Sequence, residues 1–109
     1  MRNILSAAAL ALASAGSAQA LEARFVQMPT IGCFDRDVLR RAADMRDDER
    51  MDAAGALVGE ALASGECMRL RPGLLVAIED SDIVAGLSKV RAQGEARSIW
   101  VRYRALEEN

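Results

Sequence analysis

The hydrophobic period of this chain changes at a cysteine. Before Cys67 apolar residues recur at helical spacing, and after it they alternate. A 3.6-residue period belongs to an amphipathic helix and a two-residue period to a half-buried strand. The chain is therefore expected to be α+β: a helical half over 33–66 and a β half over 67–106. The only other cysteine, Cys33, opens the helical half. Two cysteines allow one intramolecular bridge. Closing a loop of 34 residues stabilises a domain by roughly 3.5–4 kcal/mol on chain-entropy reasoning.

A bridge needs an oxidising compartment, and the first twenty residues point to one. Arg2 supplies a positive start, Ile4 to Ala15 is an almost unbroken apolar run, and Gly16-Ser17-Ala18-Gln19-Ala20 ends in Ala-x-Ala. This is the pattern of a secretory signal peptide over 1–20, with cleavage expected after Ala20. The next residue is Leu21 rather than cysteine, which argues against a lipid anchor. Residues 21–109 then form one exported domain, periplasmic or secreted. A domain this small buries a modest share of its surface and gains much from a covalent staple.

Within the helical half, Asp35 is placed to cap a helix over Arg36 to Met45. Val38, Leu39, Ala42 and Met45 make its apolar face; Arg36, Arg40, Arg41, Asp44 and Arg46 fall on the wet side. Asp47-Asp48-Glu49 marks a break or a second cap. Met51, Ala54, Leu57, Val58, Ala61 and Leu62 form a second apolar face that ends at Gly65, a left-handed C-cap. A helical hairpin is the preferred form and one long bent helix the alternative. Gly55, Gly59 and Ala63 make a small-residue stripe. It is expected to let the helix sit close on a sheet rather than to pair with another helix.

Arg24 to Met28 reads as a short lead-in strand ended by Pro29. In the β half, Met68 to Arg71 alternates and Arg71-Pro72-Gly73 turns. Leu74, Val76 and Ile78 alternate again, and Glu79-Asp80-Ser81-Asp82 reads as a polar connection. Ile83 to Arg91 is a weaker strand interrupted by Gly86. After a turn at Gly94, Ser98 to Arg104 is the clearest strand, with Ile99, Val101 and Tyr103 on one face and Trp100, Arg102 and Arg104 on the other. Four strands and their turns suggest a small antiparallel sheet or a partly closed barrel.

This part of the chain resembles the bacterial SH3-like barrel. The resemblance rests on Gly73, Val76 and Ile78, then Lys89-Val90-Arg91, a turn at Gly94, and Trp100-Val101 before Leu106. It covers about the last third of the chain. It implies a non-catalytic cell-envelope module, of a kind that sometimes binds peptidoglycan or peptides.

The chemistry visible in the residues is that of binding. There is no histidine, the commonest general base and metal ligand. Oxidised cysteines are not nucleophiles, and no nucleophile elbow, phosphate loop or dinucleotide fingerprint occurs. The acids Asp47, Asp48, Glu49 and Asp52 do not make a calcium loop. Counted from Asp48, its sixth and twelfth positions are Ala53 and Gly59; counted from Asp80 they are Ala85 and Arg91. No metal and no cofactor is expected. Charge is unevenly spread: Cys33 to Cys67 holds nine acids and five arginines, whereas Met68 to Arg104 holds seven bases and four acids. Arg69, Arg71, Lys89, Arg91, Arg102 and Arg104 are expected on one outer face beside Trp100. That face suits peptidoglycan or another anionic envelope component, with Trp100 or Tyr103 stacking on a sugar. Nucleic acid does not fit an exported, net acidic chain. The leading expectation is a non-enzymatic binding module. An inhibitor or accessory subunit of an envelope enzyme, or a structural envelope protein, is the alternative.

Overall fold

In the computed structural model of the protein, residues 22–107 are described, so the expected signal peptide lies outside the described residues. The chain forms β1 (Glu22–Phe25), β2 (Thr30–Cys33), α1 (Arg36–Asp47), α2 (Met51–Ser64), β3 (Cys67–Leu70), β4 (Leu75–Asp82), β5 (Leu87–Ala92), β6 (Ile99–Arg102) and a closing 3-10 turn (Tyr103–Leu106).

The helical half is a hairpin, not one bent helix. Asp35 caps α1, its side chain accepting from the Asp37 amide at 2.9 Å. The helix runs two residues past its expected end. Glu49, at φ 63°, then breaks the chain direction in the left-handed region. Arg50 stands at the start of α2 without a side-chain cap, so the acidic run marks the break and does not cap the second helix. Gly65 ends α2 at φ 84°, its amide returning to the Leu62 carbonyl, a conformation that costs glycine little.

All six strands join one antiparallel sheet in the order β1-β4-β5-β6-β2-β3. Two strands therefore come from ahead of the helices, and the division at Cys67 holds for the helices but not for the sheet. β2 was not expected. Pro29 and Gly32 hide it, yet Gly32 is required there. A Cβ on Gly32 would lie 2.6 Å from Ile99 Cδ1 and 3.1 Å from Leu70 Cδ1. Two boundaries also differ. Glu79 to Asp82 is strand, because β4 continues past a bulge at Glu79 to pair Asp82 with Leu87. The turn then falls on Ile83 to Gly86. At the other end, the last strand stops at Arg102, and Tyr103 and Arg104 belong to the 3-10 turn.

The connectivity forces the sheet to curl. Strands β1 and β2, and likewise β3 and β4, stand four strand spacings apart, about 19 Å if the sheet were flat. Each pair is joined by only four residues, whose fully extended reach is about 17 Å. Neither link is extended. Leu74 donates to Arg71 O at 3.3 Å, and the links bond to each other, Val26 N to Leu74 O and Gly73 N to Val26 O, both at 2.8 Å. The sheet thus bends toward closure, but no ladder joins β1 to β3 and it stays open.

The curl divides the hydrophobic residues into two clusters. Inside it pack Val26, Leu70, Val76, Val90, Ile99, Val101 and Leu106. On the outer face, α1 and α2 bury Leu39, Ala61 and Leu87 around the Cys33–Cys67 disulfide, with Val38, Leu62 and Trp100 at its margin. The two cysteines are direct cross-strand partners, and both are buried. The small-residue stripe does not rest on the sheet as expected. Gly55 and Gly59 are exposed, and a Cβ on either meets nothing within 4 Å. The contact is made instead by Ala61 and Leu62. No helix among the described residues is long and apolar enough to cross a membrane.

Candidate anion-binding cleft

Alternation along β6 decides where its side chains go. Ile99 and Val101 enter the curl, so Trp100 and Arg102 point to the helix side. Trp100 is half-buried there, and the Arg36 guanidinium lies 5.3 Å from its ring centroid. Arg36 is itself held by Asp82 at 2.9 Å. One face of the Trp100 ring is therefore covered by a guanidinium. Tyr103, exposed in the 3-10 turn, is approached by the Arg24 guanidinium at 6.0 Å.

Arg102 and Arg104 do come together, although not as neighbours on one strand. Arg102 leaves the end of β6 and Arg104 the 3-10 turn, and both line a cleft of about 300 Å³ between α1, α2 and the link that precedes β2. A third arginine, Arg46, enters from the last turn of α1. The rest of the wall is mostly apolar: Met28, Pro29, Ile31, Leu39 and Val58. Among the described residues no carboxylate lines it.

The charges in this cleft are incompletely compensated. Arg46 Nη1 is closed off from solvent and has no hydrogen-bond partner. Burial pushes the Arg102 guanidinium below its ordinary pKa, and the like charges of Arg46 and Arg104 push it the same way; Asp47 opposes them more weakly. Among the described residues, the salt bridges engage Arg24, Arg36, Arg50 and Arg91, none of the three cleft arginines. Buried donors normally have partners, and leaving one unmade costs about 1–3 kcal/mol, more for charged groups. Arg46 at the end of α1 does gain from the helix dipole, worth roughly 0.3–1 kcal/mol. That term does not supply the missing acceptor.

The other arginines of the expected stripe are dispersed. Arg69 is exposed on edge strand β3, and Arg71 is exposed in the link after it. Arg91 is engaged by Glu79 at 2.7 Å and by the Ala96 carbonyl. Arg46, expected on the wet side of its helix, instead lines the cleft. It lies seven residues after Leu39 and four after Ala42, both buried, so it continues their stripe. Its charge obscured a position that the period already placed on the buried face.

No family model matches the chain, and neither a curated protein nor a solved structure matches it. The cleft is therefore interpreted from its own chemistry. Guanidinium groups present planar, fixed donor forks suited to carboxylate and phosphate oxygens. No group of three or more metal-ligating side chains occurs among the described residues.

Proposed function

We propose that the protein is an exported, non-enzymatic binding module, periplasmic or secreted, that holds an anionic group of the cell envelope at Arg46, Arg102 and Arg104. The single observation that carries this reading is the buried, unpartnered Nη1 of Arg46 beside two further arginines, in a cleft that no acid lines among the described residues. An anion entering there supplies the absent acceptor and relieves the like-charge repulsion on Arg102. Export is supported by the apolar N-terminal run and by the disulfide, a bond typical of oxidising compartments. The resemblance of the last third to SH3-like envelope modules points the same way, toward peptidoglycan or another anionic wall component as ligand. Cosedimentation with purified peptidoglycan tests the wall reading. Wild-type protein is expected in the pellet and Arg102→Ala/Arg104→Ala in the supernatant; equal pelleting of the two would sink it.

One observation favours a second reading, an inhibitor or accessory subunit of an envelope enzyme. The β4–β5 turn presents Ile83 at 89% exposure and Val84 at 100%. Apolar β-branched residues are not the usual turn formers. The turn is also braced, since Asp82 accepts from the Ala85 amide at 3.1 Å while bound to Arg36. A rigid apolar tip is a suitable anchor for the pocket of a partner protein. Site-directed crosslinking from position 84 in cells tests this. One discrete adduct, lost with Ile83→Ser, is expected on this reading, and an absence of adducts refutes it.

A further inference from the structure

We infer, building on the anion-binding reading above, that the ligand class of the Arg46–Arg102–Arg104 cleft is a phosphate monoester bearing an apolar chain. Two features of the cleft select this class. The first is the number of guanidiniums. A carboxylate offers one negative charge and two oxygens, which a single arginine fork can satisfy. Three arginines converge here from three elements, α1, β6 and the 3-10 turn, and among the described residues no carboxylate lines the wall. A phosphate monoester carries about −1.5 to −2 charges at neutral pH and three terminal oxygens, which gives each arginine an acceptor.

The second feature is the opposite wall. Ile31, Leu39 and Val58 give the cleft an apolar side, and Met28 extends it toward solvent at 44% exposure. Inorganic phosphate would leave that side in contact with water. An alkyl group on the phosphate covers it. A volume of about 300 Å³ equals roughly ten waters at their liquid share. That is room for the phosphate and the first few methylenes of a chain, with the remainder leaving past Met28. Such a group is found on soluble alkyl phosphates and on lipids with a terminal phosphate, and the cleft chemistry is the same for both.

The test is a calorimetric titration of the full domain with inorganic phosphate and with ethyl, butyl and hexyl phosphate, with hexanoate as the carboxylate comparison. Affinity is expected to rise about fourfold per methylene until the cleft is full, and then to level off. Hexanoate is expected to bind at least about tenfold more weakly than hexyl phosphate, given the stronger charge-assisted bonds available to the dianion. Arg46→Met and Arg102→Met should each lose about tenfold or more. Arg41→Ala, which removes the same charge from an exposed position on α1, should bind as wild type.

The failures are separable. Equal affinity for inorganic and hexyl phosphate overturns the apolar part and leaves the anion reading intact. Equal affinity for hexanoate and hexyl phosphate overturns the phosphate part. No binding of any of these anions by wild-type protein overturns both the inference and the anion-binding reading. A vesicle arm separates the sources: phosphatidic acid vesicles bound in addition to hexyl phosphate identify a lipid, whereas hexyl phosphate bound without vesicles identifies a soluble ester. Vesicle binding without any alkyl phosphate binding overturns the cleft as the site.

Discussion

Replacing Arg46 by methionine should make the anion-free protein more stable while removing its ligand. The guanidinium has one nitrogen sealed from solvent with no acceptor. An unmade buried donor costs about 1–3 kcal/mol, and removing the group recovers that amount. Methionine keeps the unbranched apolar stem that packs against the cleft wall, so little volume is lost. The favourable interaction of Arg46 with the carbonyl end of α1 disappears, a loss of roughly 0.3–1 kcal/mol. The difference is a gain of about 1 kcal/mol, before counting the repulsion lifted from Arg102. For a domain of this size that corresponds to a melting point about 4–8 °C higher. The assay is urea unfolding with the disulfide intact, followed by circular dichroism in phosphate-free buffer, with thermal melts alongside. The slope against urea should not change, since the surface exposed on unfolding is the same. The ranking should then reverse when a ligand is added. At a hundred times its dissociation constant a ligand stabilises wild type by about 2.7 kcal/mol, and Arg46→Met should gain little at that concentration. A variant less stable than wild type without ligand would refute the argument. It would mean that Arg46 has a structural partner and that its burial is compensated.

Other outcomes follow from the same packing. Gly32→Ala should destabilise by about 1–3 kcal/mol, since its Cβ meets Ile99 and Leu70 inside the curl; Gly55→Ala and Gly59→Ala, in open space on a helix, should each stabilise by about 1 kcal/mol. Denaturation midpoints would show the opposite signs, and a stable Gly32→Ala would contradict the close approach of β2. Converting both cysteines to alanine should cost about 3.5–4 kcal/mol for a loop of this length. The native protein should take up no alkylating agent without reductant, as intact mass would show. Glu79 is held below its ordinary pKa of 4.5, first by its bond from Arg91 and then by the one from Ser98. Its folded form therefore binds a proton less readily than its unfolded form. The contribution is complete above the ordinary value and is lost as pH falls through it toward the depressed one. Glu79→Gln should show a shallower loss of stability over that acidic window, and an identical slope would exclude the Glu79 contribution.

Much of the architecture is legible in local residue patterns. Asp35, the break near Glu49 and Gly65 bound the helices because capping and left-handed turns have strong residue preferences. Strands are less legible wherever partners far along the chain supply the stabilisation. Thr30 to Cys33 has a glycine where most strands have a side chain, and only the crowding by Ile99 and Leu70 explains why it must. Glu79 to Asp82 looks like a loop because its acids are polar, yet Glu79 and Asp82 are neutralised by Arg91 and Arg36 from other elements. The site shows the same limit. Arg102 was legible from the alternation of β6. Arg104 reaches the cleft from the 3-10 turn and not from a strand, and the charge of Arg46 masks a helical period that places it on the buried face.

The strand order also governs when this protein can finish folding. Among the described strands β1 pairs with β4 alone, and Val26 and Gln27 take their partners from Leu74 and Ala105. A chain that emerges from its N-terminus must hold residues 22–26 unpaired until residues 74–78 have followed, and Gln27 until Ala105 has. The helical hairpin and the β2–β3 pair can form early, since their contacts are closer in sequence. The curl cannot, because its last hydrogen bonds join the beginning of the described chain to its end. Non-local pairing of this kind slows folding and prolongs the exposure of strand edges. Truncation before Ala105 should therefore leave the inner cluster without Leu106 and the Gln27 amide without its acceptor.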